Sequence, residues 1–308
     1  MKTTLMFAPM EGITFARFRE LHYSMFPGAD EYYTPFIAPD SRGSFRAKYL
    51  KELTADSAVP TIPQLLVNNA EAFNLTADKL QDLGFSEINL NAGCPSGTVF
   101  SKHKGAGMLA DPAGLDRTLE SIFDHAALRG YRVSIKTRMG VHSTEEFPAI
   151  LEVYNRYPLS RLIVHARCRD AFYQGEADLK GFLSAAAGSR CPVVYNGNIF
   201  SPEDLQHVQE LAPETDAFML GRGAVSNPAI FRQLRGGEPL RRSELKEFHD
   251  RLTGIWLSGG LAPRFTVERM KTLWVYWQVN FPEEQKQIRA ILKARDMQAY
   301  RGAVAAVF

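Results

Sequence analysis

Cysteine is scarce in this chain: Cys94, Cys168 and Cys191 are the only three in 308 residues. Three scattered thiols without CxxC spacing exclude a disulfide framework and a zinc site of that type, and no metal is expected. Long apolar runs are absent, since no stretch approaches the about 18 residues of a membrane-spanning helix. The apolar strip at residues 5–10 ends at Glu11 and is too short for the core of a signal peptide, so a cytoplasmic location without membrane contact is expected. An excess of one charge is missing too: 36 Lys and Arg face 34 Asp and Glu, a net +2 that by itself neither implies nor excludes a nucleic-acid partner. Repeats and low-complexity segments are also lacking. What is present, 45% hydrophobic and 23% charged residues, is the balance of a globular chain long enough for two domains or one large barrel with an appendage.

Charge is unevenly placed. Residues 241–308 hold 12 Lys and Arg against 7 Asp and Glu, a net +5, which leaves −3 for the rest. Short β-rich apolar runs recur at residues 5–10, 31–36, 61–67, 87–93, 132–139, 161–167, 192–198 and 217–223. Amphipathic segments, such as 114–128 and 202–211, lie between them. Eight strand–helix alternations predict a (β/α)8 TIM barrel, with a doubly wound open sheet as the competing arrangement. From about Arg241 the pattern becomes helix after helix. We therefore expect a barrel domain over residues 1–238 and a small helical bundle domain over 239–308. Met270, Leu273, Trp274 and Trp277 fall at helical spacing and read as ordinary bundle core.

A barrel carries its chemistry at the C-terminal ends of its strands. Met10-Glu11-Gly12, Gln64, Asn91 with Cys94, Lys136 with Arg138, His165 with Arg167, Asn196-Gly197-Asn198 and Gly221-Arg222-Gly223 all fall at such ends. The last two groups sit where barrels commonly bind phosphate: glycine lets the backbone approach an anion and Arg adds a charged fork. Lys136 needs an anion there, either a reduced flavin or a loop carboxylate such as Glu11. Gln64 offers a donor and an acceptor, for a flavin ring edge or for a loop.

Cys94 lies between Gly93 and Pro95 in a turn expected to present its thiol to the barrel mouth, whereas Cys168 and Cys191 read as small buried hydrophobes. A thiol with a reference pKa of about 8.5 is mostly protonated at neutral pH, and no catalytic His is implied nearby, so a general acid is the better reading. The basic, glycine-rich loop over residues 101–107 reads as a phosphate-contacting loop or a solvated one.

Taken together, the chain resembles the tRNA-dihydrouridine synthases. The resemblance is carried by Ala8-Pro9-Met10-Glu11-Gly12-Ile13-Thr14, Asn89-Leu90-Asn91-Ala92-Gly93-Cys94-Pro95, Gly105-Ala106-Gly107-Met108-Leu109, Lys136-Thr137-Arg138, Val164-His165-Ala166-Arg167, Asn196-Gly197-Asn198 and Gly221-Arg222-Gly223. It implies FMN in the barrel, NADPH as reductant, tRNA as substrate and a helical domain that grips it; separately, a monomer is expected. Pro9, Met10, Glu11, Gln64, Lys136, His165, Asn196, Gly197, Asn198, Gly221 and Arg222 would line the flavin. Asn91 and Arg138 would face the uracil, Lys102 and Lys104 would contact phosphate, and Cys94 would donate the proton.

Three positions depart from the family pattern: Phe15 replaces an Asp, and Ala166 and Cys168 flank Arg167 where Gly and Thr are usual. Glu11 after Pro9-Met10, and Pro95-Ser96 followed by Thr98-Val99, resemble the bacterial subgroup that modifies uridine 16. The alternatives are an FMN enzyme resembling dihydroorotate dehydrogenase and a tRNA-binding module without catalysis.

Overall fold

The computed structural model describes residues 3–40, 42–45, 47–53 and 58–308. Nine parallel strands form one sheet: β1 (Thr4–Phe7), β2 (Glu31–Tyr33), β3 (Thr61–Ile62), β4 (Gln64–Leu65), β5 (Glu87–Ala92), β6 (Arg132–Arg138), β7 (Leu162–His165), β8 (Val193–Asn196) and β9 (Ala217–Leu220). Their order is β3-β2-β1-β9-β8-β7-β6-β5-β4. The two ends of that order are halves of one run, separated by Pro63. Proline has no N–H for the ladder, so the strand breaks there, yet its carbonyl still accepts from Asn89 N at 2.9 Å. The first half pairs with β2 and the second with β5, so the ring closes as an eight-stranded barrel with its third strand broken. All eight expected runs are strands, each shorter than its apolar run.

Alternation along each strand divides the core in two. Leu5, Phe7, Leu90 and Ile135 face outward into the large cluster under the helices, whereas Met6, Ala8, Tyr33, Ile62, Ile163, Val194 and Met219 form a smaller one that fills the barrel interior. Register places Asn91 beside Lys136 on β5 and β6, and Arg138, His165 and Asn196 side by side on β6, β7 and β8. The polar residues therefore gather above the apolar plug, at one end.

After β9 come two short helices and then four longer ones, Arg242–Ser258, Pro263–Trp277, Gln285–Lys293 and Met297–Ala305. The stripe of Met270, Leu273, Trp274 and Trp277 is buried. Packing runs on into the barrel: Phe248 meets Phe18 at 5.4 Å between ring centroids, and Trp277 Nε1 donates to the Val225 carbonyl at 3.0 Å. Phe15, the first departure from the family pattern, lies on Trp256 with ring centroids 4.0 Å apart. An apolar ring suits that place because it joins barrel and tail. No helix among the described residues is long and apolar enough to cross a membrane.

Candidate active site

The strand ends enclose a cleft of about 220 Å³ whose walls include Pro9, Met10, Glu11, Gln64, Asn91, Cys94, Lys136, Arg138 and His165. Ile13, Phe36, Tyr173 and Tyr276 complete much of the lining and were not singled out in the sequence. A wider hollow of about 570 Å³ lies between the helices Phe147–Tyr154 and Leu179–Gly188, and none of the candidate residues lines it.

Cys94 sits on a turn built from below. Asn91 Oδ1 accepts from the backbone N–H groups of Gly93 (3.0 Å) and Cys94 (2.9 Å). That fixes the amide's orientation, because N–H groups can only donate, and Asn91 Nδ2 must then donate to Gln64 Oε1 at 2.7 Å. The same polarity passes on, from Gln64 Nε2 to Asn89 Oδ1 (2.7 Å) and from Asn89 Nδ2 to Ser134 Oγ (3.0 Å). Asn91 and Gln64 thus line the cleft but use both ends of their amides to hold the Cys94 turn. From above, Ala106 N donates to the Cys94 carbonyl at 3.1 Å. Gly105 has φ +58°, and a Cβ there would lie 2.9 Å from Cys94 Cβ. The thiol is half-buried, and loss of solvation pushes its pKa up, opposed by the Ser96 backbone N–H and by Arg138 and Lys136. It stays protonated at neutral pH.

Lys136 is half-buried and donates to Asn196 Oδ1 at 2.7 Å; desolvation, reinforced by nearby Arg138, pulls its pKa down to about 7. Asn196 Nδ2 in turn donates to the Met219 carbonyl at 2.7 Å. Arg138 is 1% exposed and donates to the carbonyls of Gly93 (3.1 Å), Cys168 (2.7 Å) and Phe172 (2.6 Å). It ties the loop after β5 to the loop after β7, and it explains Cys168: the backbone, not the side chain, is what Arg138 uses. Burial lowers the Arg138 pKa to about 10, so it remains charged. Cys168 and Cys191 are half-buried rather than buried.

Asn196, Gly197, Asn198, Gly221 and Arg222 stand beside the cleft rather than in its lining. Arg222 Nη2 donates to Asn198 Oδ1 at 2.8 Å, and its guanidinium lies 5.0 Å from the Tyr173 ring centroid. Asn198 Oδ1 also receives Arg167 Nη2 at 3.1 Å. Gly197 cannot carry a side chain, because a Cβ would fall 2.1 Å from the Tyr195 hydroxyl. Lys102 is exposed and Lys104 half-buried on the loop above Cys94, outside the cleft lining. Desolvation, with Lys102 beside it, lowers the Lys104 pKa.

The electrostatic result is lopsided. Lys136, Arg138, Arg167 and Arg222 surround the mouth, and among the described residues none has a carboxylate within 4.0 Å. Arg138 and Arg167 are buried and Lys136 and Arg222 half-buried, and cations so placed without a counter-charge suit an anionic occupant.

A family model described as "Dihydrouridine synthase (Dus)" matches residues 6–254. The tRNA-dihydrouridine synthase B of Pseudomonas syringae pv. tomato is 28% identical over 75% of this chain and 67% of its own. A tRNA-dihydrouridine(16) synthase of Aquipseudomonas alcaligenes is 28% identical over 94% of this chain and 95% of its own. Among solved structures, morphinone reductase superposes with TM-score 0.54 at 12% identity, over 78% of this chain and 88% of its own. A 2-naphthoyl-CoA reductase complex gives TM-score 0.56 at 11% identity, over 76% and 50%. These last two show the barrel alone. The family model spans most of the barrel and runs into the first tail helix, and by that match the chain belongs to the dihydrouridine synthase family.

Proposed function

We propose that this protein reduces the C5=C6 bond of a uridine in tRNA, using FMN held at the barrel mouth and NADPH as the source of electrons. The observation that carries the reading is the pairing of a protonated, half-buried Cys94 with Lys136, Arg138, Arg167 and Arg222 around the same cleft, none of which has a carboxylate within 4.0 Å among the described residues. This donor set fits an anionic, phosphate-bearing cofactor: Lys136 would balance charge on the ring, while Arg222 and the backbone at Gly197 and Gly221 would hold the phosphate. When bound, the flavin supplies hydride for C6 of the uracil. Cys94 holds the proton that passes to C5, and the Asn91 amide keeps its turn in place. Tyr173 and Tyr276 flank the entrance with aromatic faces against which an extruded base can stack.

Residues 239–308 would grip the tRNA outside the cleft, using their net positive charge. Uridine 16 is the proposed position. The support is that relatives named for that position match this chain, the A. alcaligenes one over 94% of it. The test is anaerobic: reduce the flavin-loaded protein, add unmodified tRNA, and follow flavin absorbance with orotate as a parallel oxidant. Reoxidation by tRNA with new dihydrouridine at position 16 is expected. Reoxidation by orotate alone would replace the reading with a small-pyrimidine oxidoreductase.

A further inference from the structure

Arg167 is the most heavily bonded cation at the mouth. Its Nε donates to the Gln174 carbonyl (3.2 Å), its Nη2 to the Gly175 carbonyl (2.6 Å) and to Asn198 Oδ1 (3.1 Å), and its Nη1 lies 3.1 Å from His165 Nε2. A guanidinium has five donors and no acceptor, and it does not give up its proton in a protein. The contact with His165 therefore has one possible polarity, in which Nε2 accepts. Nε2 must keep its lone pair, so the ring's proton belongs on Nδ1.

His165 lines the cleft, and its Nδ1 has no hydrogen-bond partner among the described residues. The elements packed around the ring also oppose a second proton. Lys136 and Arg138 reach it from β6, Arg167 from its own strand's exit and Arg222 from beyond β9, while Asn196 beside it on β8 and the Tyr173 ring, 6.0 Å away, are neutral. Loss of solvation and these four cations hold the imidazole well below its ordinary pKa.

We infer that Arg167 is a positioning residue: it fixes His165 as the neutral Nδ1–H tautomer, so that His165 presents a hydrogen-bond donor to the occupant of the cleft. The inference rests on the flavin reading only for the identity of that acceptor. The tautomer belongs to the protein alone.

Nitrogen-15 NMR of the ligand-free protein tests it, with the His165 ring signals identified by their loss in His165→Asn. Nε2 is expected in the unprotonated range and Nδ1 in the protonated range, unchanged from about pH 5 to 8. An Nε2–H ring, or protonation within that window, overturns the inference. In Arg167→Met the tautomer balance should shift, and in Arg167→Lys, which keeps a donor and a charge, it should return towards the parent. Because the Met variant also releases Gln174 and Gly175, a second comparison uses His165 itself. Asn places an amide N–H near the position of Nδ1, and Gln places one near that of Nε2. FMN affinity should hold within about threefold in His165→Asn and fall roughly tenfold in His165→Gln, the size of one hydrogen bond. The reverse order would overturn the inference. An Nδ1–H tautomer in a protein that binds no FMN in any form would leave it standing and remove the flavin assignment.

Discussion

At the scale of single residues, Cys94 was legible because a thiol between Gly and Pro at a strand end has few structural uses. With Cys94→Ala we expect flavin retention and tRNA binding to persist while turnover on tRNA falls by roughly 10²–10⁴-fold, the usual worth of a positioned acid. The raised thiol pKa sets the sign of the pH effect: the acid is intact through neutral pH, and the rate declines only above the ordinary thiol range. Gly105→Ala tests the turn from outside, since the new Cβ would press on Cys94 Cβ and the carbonyl at 2.9 Å with φ at +58°. A drop of about tenfold or more in turnover with flavin still bound is the expected result, measured by single-turnover reoxidation. Arg167 could be placed at the mouth from sequence, but its role could not be read there. Its partners are carbonyls of Gln174 and Gly175 and one imidazole nitrogen, none of which a sequence pattern marks. The same holds for Asn91, whose commitment to its own turn appears only when backbone N–H groups are located.

Elements were read well where their ends are chemically marked. The helix Pro202–Leu211 matches its expected bounds because Ser201 caps it, Asp204 returns the bond and Pro stands at its first position. The broken third strand was missed, since an apolar run containing Pro63 looks continuous when only periodicity is counted. Tail and barrel are also joined by a polar clasp: Glu244, in the helix Arg242–Ser258, accepts from Arg232 Nη1 (2.9 Å) and Nη2 (3.0 Å) in the short helix Ile230–Leu234. The Arg232 hydrogen bond holds the Glu244 pKa down to about 2. A carboxylate depressed on folding adds stability that is full above the unfolded carboxylate range and is lost as pH falls through the folded value. Glu244→Gln should therefore lower Tm at pH 7, with the gap from the parent closing as pH drops towards about 2. A gap that stays constant with pH would show that the charge is not what matters.

For the whole molecule, eight alternations made the barrel legible, and the change to helix after helix from about Arg241 agrees with the helix Arg242–Ser258. Their union was not legible, because Phe15, Phe18, Phe248, Trp256 and Trp277 meet only in three dimensions. Calorimetry should accordingly show one cooperative transition. Removing residues 239–308 should yield an aggregating chain, not a smaller flavin protein, because the cut exposes a continuous apolar face. A soluble, yellow, truncated barrel would refute that. Ring closure bears also on how the chain is made. β1 ends at Phe7, yet its neighbour β9 ends at Leu220, and the aromatic rings that cover the barrel wall come later still. During synthesis the first strand must wait for more than two hundred residues before its far edge is covered. An exposed strand edge is prone to wrong pairing, so over that interval the nascent chain gains from having its open edge shielded.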